Sequence, residues 1–192
     1  MLNIHPLFLY GEYMNDIEIK ALIAAEEQRQ QSVLRMIASE SIPSDDVREA
    51  LSSCFTSKYS EGYPNCENHP SGFRYYQGQC NTDKLEKLCI ERAKEAFNLP
   101  EDWHVNVQPY SGSPANLATY FAFCKPGDKV VGLGLNSGGH LSHGHKVNLT
   151  GKLFDVHQFD VDPKTELIDY DHFESFVCDV KPVMMIIGTT AY

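Results

Sequence analysis

The sequence predicts an α/β protein in which a helical N-terminal arm precedes a mostly parallel β-sheet. Helical spacing of apolar residues dominates as far as residue 98, and strand and helix patterns then alternate along the rest of the chain. The run VMMII at 183–187 is apolar throughout, which is typical of a parallel strand buried on both faces. Together these observations favour a parallel sheet over an all-helical or all-β fold.

Three helices are predicted in the N-terminal part of the chain. Apolar residues recur at helical spacing over 16–37, and after Pro43 a second helix covers 44–51. The pattern over 83–98 predicts a third, amphipathic helix. Its inward-facing side chains are expected to be Leu85, Leu88, Cys89, Ala93 and Phe97. Residues 56–82 hold four tyrosines among several Gly and Pro, which indicates a long functional loop.

Strands and helices alternate in the remainder of the chain. Strands are predicted at 105–107, 129–135, 153–159 and 183–187, and helices at 114–123 and 170–177. We assign residues 1–55 to the N-terminal arm and its helices, and residues 56–192 to the first part of a larger domain. The sequence stops just after a strand of buried type, where open α/β sheets assemble their ligand sites. We therefore expect it to be a portion of a longer protein.

The composition argues against several classes of protein. Lys and Arg total 16 against 26 Asp and Glu, and the formal charge of −10 disfavours nucleic acid or an anionic membrane surface as the partner. No apolar run approaches the roughly 20 residues that a membrane-spanning helix needs. Residues 1–14 lack the features of a secretory signal or a transit peptide. We therefore expect a soluble protein of the cytoplasm, with the mitochondrion as the alternative compartment.

The six cysteines include no C-x-x-C pair. Without a secretory signal, we expect them to be reduced thiols rather than a disulfide framework. Cys89 and Cys124 fall in apolar stretches, where a free thiol packs as a small hydrophobic group.

The first candidate site is the segment YSGSPAN at 110–116. Ser113 is a good N-cap, and Pro114 suits the first helical position. Ser111 and Gly112 then present hydroxyl and backbone N–H groups just ahead of a helix N-terminus, an arrangement that binds anions, typically a phosphate. The alternative is an ordinary strand-to-helix turn that precedes a capped helix.

The second candidate site is the glycine-bearing loop at 137–145, called the histidine loop below, which contains His140, His143 and His145. Three histidines in six residues suggest a metal site. However, they have no helical i, i+4 spacing and no nearby Cys or carboxylate to complete a ligand set, so no metal is assigned. A second interpretation is that the glycines place one imidazole over a flat ligand, and a third is an ordinary loop.

The third candidate site lies in the tyrosine-rich region, which contains KYSEGYP at 58–64 and RYY at 74–76. Burial of Glu61 between the tyrosines would raise the pKa of its carboxyl and suit it to general acid–base chemistry. The alternative is a solvated surface carboxylate. A weaker signal is IASES at 37–41, which ends a predicted helix in polar groups that suit a substrate carboxylate.

Five segments stand in a fixed order along the chain. They are IASE at 37–40, KYSEGYP at 58–64, RYY at 74–76, NVQPYSGSPAN at 106–116 and GGHLSHG at 138–144. In order and near-matching spacing they resemble serine hydroxymethyltransferases, over the N-terminal arm and roughly the first half of that family's large domain. The resemblance implies a fold-type I pyridoxal-phosphate enzyme that interconverts serine and glycine and passes a one-carbon unit to tetrahydrofolate.

The resemblance also implies which residues contact the cofactor, pyridoxal 5'-phosphate. They are Tyr59, Ser111, Gly112, Ser113, His140 and Thr190. The serine-glycine segment corresponds to the loop that holds the cofactor phosphate. His140 corresponds to the imidazole that stacks on the pyridine ring, and Thr190 stands near the phenolic oxygen.

Contacts with serine, glycine and folate are implied in the same way. The residues concerned are Ser39, Glu61, Tyr76, Leu135, Gly139 and Leu141. By resemblance, Ser39 meets the substrate carboxylate, and Glu61 and His140 are the catalytic residues. The leucines and Gly139 line the folate pocket. The tyrosines serve the site of a neighbouring subunit, which implies a homodimer or homotetramer.

The chain departs from the family pattern at three places. Ser41 follows IASE where the family commonly has Asn, and residues 65–73 form a longer link before RYY than usual, which bears on the assignment of Tyr76. The family's cofactor-bearing lysine is expected beyond Tyr192, so we expect the 192 residues alone to be inactive. The alternative is a truncated non-catalytic relative that acts as a subunit-interaction or binding module.

Overall fold

The α/β class predicted from the sequence is confirmed by a computed structural model, which describes residues 15–37, 39–64 and 74–189. The chain divides into two compact units, with the boundary between Val107 and Gln108. The first unit is helical, and the second holds a parallel sheet. Within the described ranges, no helix is both long enough and apolar enough to cross a membrane.

The first unit consists of helices joined by loops. Its elements are α1 (Ile17–Ser32), α2 (Asp45–Leu51), a 3-10 turn (Cys54–Ser57) and α3 (Cys80–Ala96). All three predicted helices are therefore present. The first is shorter than the predicted 16–37, because the backbone becomes extended at Val33, a β-branched residue with ψ of 154°.

Polar side chains define where α1 and α2 begin. The Asp16 carboxylate accepts hydrogen bonds from the N–H groups of Glu18 and Ile19 at 3.0 and 3.1 Å. The Ser44 hydroxyl oxygen accepts from the N–H of Val47 at 3.4 Å, which confirms the predicted start of the second helix. Both side chains satisfy N–H groups for which the first helical turn supplies no acceptor.

The inward face predicted for α3 is not buried. Leu85, Leu88 and Cys89 are exposed, and Phe97, just beyond the helix, is 76% exposed. The prediction was wrong because an amphipathic pattern identifies the apolar face of a helix but not the surface that covers it. The described part of the first unit does not supply that surface.

The second unit is built around a three-stranded parallel sheet. Its strands are β1 (Lys129–Leu133), β2 (Asp155–Phe159) and β3 (Met184–Ile186), and their order is β2-β1-β3. The central strand is buried from Val130 to Leu133, as expected for a strand covered on both faces. The predicted strand at 153–159 begins later, at Asp155, because a short helix occupies the preceding residues.

Helices and turns connect these strands. They are α4 (Gly112–Phe123), the 3-10 turns Leu135–Ser137 and Leu141–His143, α5 (Leu149–Leu153) and α6 (Tyr170–Val180). The predicted strand at 105–107 is not found, and the chain there is irregular. Alternation over three residues was insufficient to predict a strand, which forms only when a neighbour completes its hydrogen-bond ladder.

The core of the second unit lies between α4 and the sheet. Tyr120 is 1% exposed, its ring stacks on Phe154 with centroids 4.9 Å apart, and Cys124 and Val130 pack in the same cluster. Burial raises the pKa of the Tyr120 hydroxyl to about 12 and also raises the pKa of the Cys124 thiol. The predicted packing of Cys124 is thus confirmed, whereas that of Cys89 was wrong. The described cysteines are free thiols.

Candidate functional site

A cavity of about 470 Å³ opens in the second unit. Its walls come from three segments: Ser111, Gly112, Ser113 and Asn116 at the start of α4, His140 and His143 in the histidine loop, and Gly188 and Thr189 after β3. Since β1 and β3 are parallel neighbours, the segments that follow them emerge at the same edge of the sheet. The carboxyl edge of a parallel sheet is where open α/β folds bind ligands.

Helix α4 begins two residues earlier than the sequence predicted. Ser111 is the N-cap, with an extended backbone, and its carbonyl oxygen accepts the first helical hydrogen bond from Ala115 at 3.1 Å. Ser113 and Pro114 therefore lie inside the first turn, and their predicted places as N-cap and first helical residue were wrong. The earlier start brings the N–H groups of Gly112 and Ser113 into the first turn, where the helix offers them no acceptor.

The start of α4 has the room and the polarity that an anion requires. A Cβ atom added at Gly112 would meet nothing within 4 Å other than its chain neighbours and the backbone of its own helix, so open space adjoins the first turn. The Ser111 hydroxyl makes no capping hydrogen bond to the helix. Backbone N–H groups and the helix dipole both favour negative charge at this end. The residues present therefore fit a small anionic group such as a phosphate.

Glycines allow the histidine loop to pack directly on the end of β1. A Cβ atom on Gly139 would collide with the carbonyl oxygen of Leu133, and one on Gly132 would lie 2.6 Å from the carbonyl oxygen of His143. No larger residue fits at either position without a shift of the backbone. This close approach holds His140 at the edge of the sheet.

The His140 ring is bound at its Nδ1 atom. The N–H of Ser142 donates to this nitrogen at 3.1 Å, and the Ser142 hydroxyl oxygen lies 2.8 Å from it. Asn116 in α4 donates from its side-chain amide to the same hydroxyl oxygen at 2.7 Å. A chain of hydrogen bonds thus joins α4 to the imidazole.

His143, the second histidine of the cavity wall, is buried. Its Nδ1 accepts a hydrogen bond from the backbone N–H of His140 at 3.2 Å. Burial lowers the pKa of His143, and the neighbouring His140 lowers it further. The two rings lie 5.8 Å apart between centroids. In the part of the chain that the structure describes, no group of His, Cys, Asp or Glu is arranged to hold a metal ion.

The residues predicted to line a folate pocket lie in the histidine loop or just before it. Leu135 and Leu141 each begin a 3-10 turn and are 42% and 41% exposed, while Gly139 is buried between the two turns. Thr190, predicted to contact the cofactor, lies outside the described residues. Its neighbour Thr189 lines the cavity.

Three of the predicted site residues in the first unit form one cluster. The Tyr59 hydroxyl donates to the Glu61 carboxylate at 3.4 Å, and the Tyr59 and Tyr76 rings meet edge to face with centroids 5.1 Å apart. The Glu61 side chain is exposed, so the burial proposed for it from the sequence is not found in this unit. Ser39 is exposed in the segment between α1 and α2.

Arg74, for which the sequence predicted no role, fixes the main chain on both sides of Glu61. Its side chain is only 4% exposed, and its guanidinium donates to the carbonyl oxygens of Ser60 and Gly62, both at 2.9 Å. The N–H of Tyr75 donates to the Glu61 carbonyl oxygen at 3.2 Å. Hydrogen bonds to three consecutive carbonyl oxygens, those of Ser60, Glu61 and Gly62, therefore fix the backbone at Glu61.

The same guanidinium ties this loop to α3. Arg74 forms ion pairs with Asp83 at 2.9 Å and Glu86 at 2.5 Å, and both carboxylates are largely buried. Burial alone would lower the pKa of Arg74, but the hydrogen bonds and the charges of Asp83 and Glu86 together raise it. Its position beside two tyrosines in a predicted functional loop was the signal that could have identified it.

Comparison with known proteins gives a consistent result. The family model described as serine hydroxymethyltransferase matches residues 13–192. A relative from Levilactobacillus brevis that bears this name is 48% identical over 170 residues, which are 88% of this chain and 39% of the relative. Those from Limosilactobacillus reuteri and Coprothermobacter proteolyticus are 47% and 48% identical, over 91% and 92% of this chain and 40% of each relative.

The chain thus spans about 40% of the length of the curated relatives that it matches. The matched region contains the cavity at the start of α4, the histidine loop and the cluster around Glu61. On the extent of this match, the chain belongs to the serine hydroxymethyltransferase family.

Proposed function

We propose that this chain supplies part of the active site of a pyridoxal-phosphate-dependent serine hydroxymethyltransferase. The whole protein would convert serine and tetrahydrofolate to glycine and methylene-tetrahydrofolate. The observation that carries the proposal is that the start of α4 and His140 line one cavity. An anion-binding helix start beside an imidazole suits a cofactor that has both a phosphate and a flat ring. Family membership supports the same assignment.

The start of α4 would hold the cofactor phosphate. Ser111 and Ser113 offer hydroxyl groups, and the first turn offers backbone N–H groups beside the open space at Gly112. When bound, pyridoxal phosphate supplies an electron sink for a carbanion at the amino acid Cα. On the family pattern, Tyr59 and Thr190 would make further contacts with it.

The histidine loop would cover the cofactor ring and form part of the folate pocket. His140 would lie against the pyridine ring, where an imidazole fixed at Nδ1 excludes water from one face. Leu135 and Leu141 offer exposed apolar surface for the flat part of a folate. Gly139 leaves the main chain of the loop close to β1.

Glu61 would handle the proton on the substrate hydroxyl or on folate. Its carboxylate is accessible, and its main chain is held by Arg74 and Tyr75. Tyr59 and Tyr76 would assist in the same cluster, and Ser39 would meet the substrate carboxylate.

We also propose that the protein is a homodimer or homotetramer of the cytoplasm whose sites are shared between subunits. Exposed apolar side chains in the N-terminal region support a subunit contact, since Ile17 is 80%, Leu22 66% and Leu34 91% exposed. Light scattering of the purified protein tests this assembly, and a monomer that shows no concentration dependence would contradict it.

A charge placed at the start of α4 tests the cofactor assignment. In the protein from the complete reading frame, Gly112→Asp would put a carboxylate beside the bound phosphate. Repulsion on the order of 4 kcal/mol at about 4 Å and an effective dielectric constant of about 20 would lower affinity at least tenfold even if mostly screened. Ala118→Asp adds the same charge further along α4 and is the control. Equal affinities of the two variants for pyridoxal phosphate, measured by absorbance titration, would refute the assignment.

Glu61→Gln tests the catalytic assignment separately. The cofactor absorbance of the variant is expected to match that of the wild type, whereas folate-dependent cleavage of serine is expected to be lost. Folate-dependent turnover near the wild-type rate would exclude the acid–base role. A protein that assembles with a catalytically active relative but binds no pyridoxal phosphate would instead match the alternative of a non-catalytic interaction module.

A further inference from the structure

We propose that Ser142 and Asn116 are positioning residues that hold the His140 imidazole in one tautomer and one orientation at the cavity. Neither residue was assigned a role from the sequence. The inference rests on the proposed function, because it gives these two residues the task of orienting the ring that would cover the cofactor.

The hydrogen bonds at Nδ1 decide the tautomer of His140. The backbone N–H of Ser142 can only donate, and it points at Nδ1 from 3.1 Å. Nδ1 must therefore carry a lone pair and no proton. The neutral ring then has its proton on Nε2, at the opposite edge of the imidazole.

The side-chain amide of Asn116 decides the direction of the Ser142 hydroxyl. An NH₂ group donates, so the hydroxyl oxygen acts as the acceptor in this contact of 2.7 Å. The hydroxyl hydrogen is then available for Nδ1 of His140 at 2.8 Å. Each hydrogen bond therefore donates in the same direction, from the Asn116 amide to the Ser142 hydroxyl and from that hydroxyl to the imidazole. This chain links the ring to α4, the helix whose first turn would bind the phosphate.

Other bonds hold the Ser142 main chain independently of its hydroxyl. Ser142 is 2% exposed, and its carbonyl oxygen accepts from the hydroxyls of Tyr120 at 3.1 Å and Thr150 at 3.3 Å. Removal of the Ser142 hydroxyl should therefore leave the turn in place and leave Nδ1 of His140 with only the hydrogen bond from the Ser142 backbone N–H. A substitution can thus separate the orientation of the imidazole from the integrity of the loop.

Cofactor affinity gives the first test, in the protein from the complete reading frame. Ser142→Ala is expected to weaken binding of pyridoxal phosphate by about 3- to 10-fold, the effect of one hydrogen bond. Ser142→Thr keeps a hydroxyl and is expected to restore most of the affinity. Tyr120→Phe also removes a hydrogen bond to Ser142 but leaves Nδ1 untouched, so its effect should stay below about 2-fold.

Repeating Ser142→Ala in a His140→Phe variant separates an effect on the imidazole from a general structural effect of the substitution. In His140→Phe, which keeps a flat ring without nitrogen atoms, Ser142→Ala should change the affinity by less than about 2-fold, because the two effects are coupled. An equal loss in both backgrounds would overturn the proposal. So would a loss in Tyr120→Phe as large as that in Ser142→Ala.

A readout without cofactor keeps this inference separate from the proposed function. In protein with ¹⁵N-labelled histidine at about pH 8, above the ordinary imidazole pKa, the His140 signals should show an unprotonated Nδ1 and a protonated Nε2. The signals are assigned by their absence in His140→Phe. A protonated Nδ1 would overturn the positioning role. If the wild type fails to bind pyridoxal phosphate, the proposed function fails, and this measurement still decides the tautomer.

Discussion

Arg74→Met is expected to destabilise the first unit by about 3 kcal/mol. The substitution keeps an apolar stem of similar length and removes the guanidinium of a side chain that is 4% exposed. Loss of one partner from a buried ion pair costs about 3–5 kcal/mol. The partner carboxylates retain 19% and 13% exposure, which favours the lower end of that range.

Urea unfolding measures this loss. Trp103 is the single tryptophan and belongs to the first unit, so its fluorescence reports on the unit that contains Arg74. With a urea dependence of about 2 kcal/mol/M, the midpoint should fall by roughly 1.5 M. Arg29→Met is the control, because Arg29 forms an exposed ion pair with Glu26 and should shift the midpoint little.

A double variant tests the electrostatic reason for the loss. Arg74→Met leaves the carboxylate of Glu86 without its cation, and adding Glu86→Gln removes that negative charge. The double variant should therefore regain part of the stability that Arg74→Met loses. Equal midpoints for Arg74→Met and Arg29→Met would refute the reasoning. A double variant less stable than the sum of both single changes would contradict it as well.

Two further changes test the second unit. Gly139→Ala would drive a Cβ atom into the carbonyl oxygen of Leu133, so thermal unfolding should begin well below the wild-type temperature; an unchanged midpoint would disprove the close packing. Burial lowers the pKa of His143, so the unfolded chain takes up a proton at higher pH than the folded chain, and stability should fall as pH drops below about 6.5. His143→Gln should flatten that decline in a thermal series, whereas exposed His104→Gln should not.

The fold class was predictable because burial on both faces leaves a continuous apolar run. Such a run marks β1, which is buried from Val130 to Leu133. The run at 183–187 correctly predicted a strand, but its predicted burial on both faces was wrong, because Met185 in β3 is 46% exposed. The amphipathic pattern marks α6. The start of β2 was misplaced because the residues before it are apolar in either conformation. The signal for the helix there was Asn148, whose side chain accepts from the N–H of Thr150 at 3.0 Å.

The start of α4 was ambiguous because two serines near it are both suitable N-caps. Local rules favoured Ser113 with Pro114 at the first position, but the extended backbone of Ser111 places the cap there. The position of Arg74 beside two tyrosines in a predicted functional loop marked it as a candidate, but the local pattern could not identify its ion-pair partners. Its carboxylate partners on α3 lie 9 and 12 residues away, so only the folded chain brings them together.

The cavity depends on the shortest strand of the sheet. β3 pairs with β1 over only three residues, and Gly188 and Thr189 follow one residue after its end. Short strands fray more readily than long ones, so amide hydrogens of β3 should exchange with solvent sooner than those of β1. A ligand that contacts both Thr189 and α4 would stabilise the end of β3. Occupancy of the cavity should then slow amide hydrogen exchange along β3.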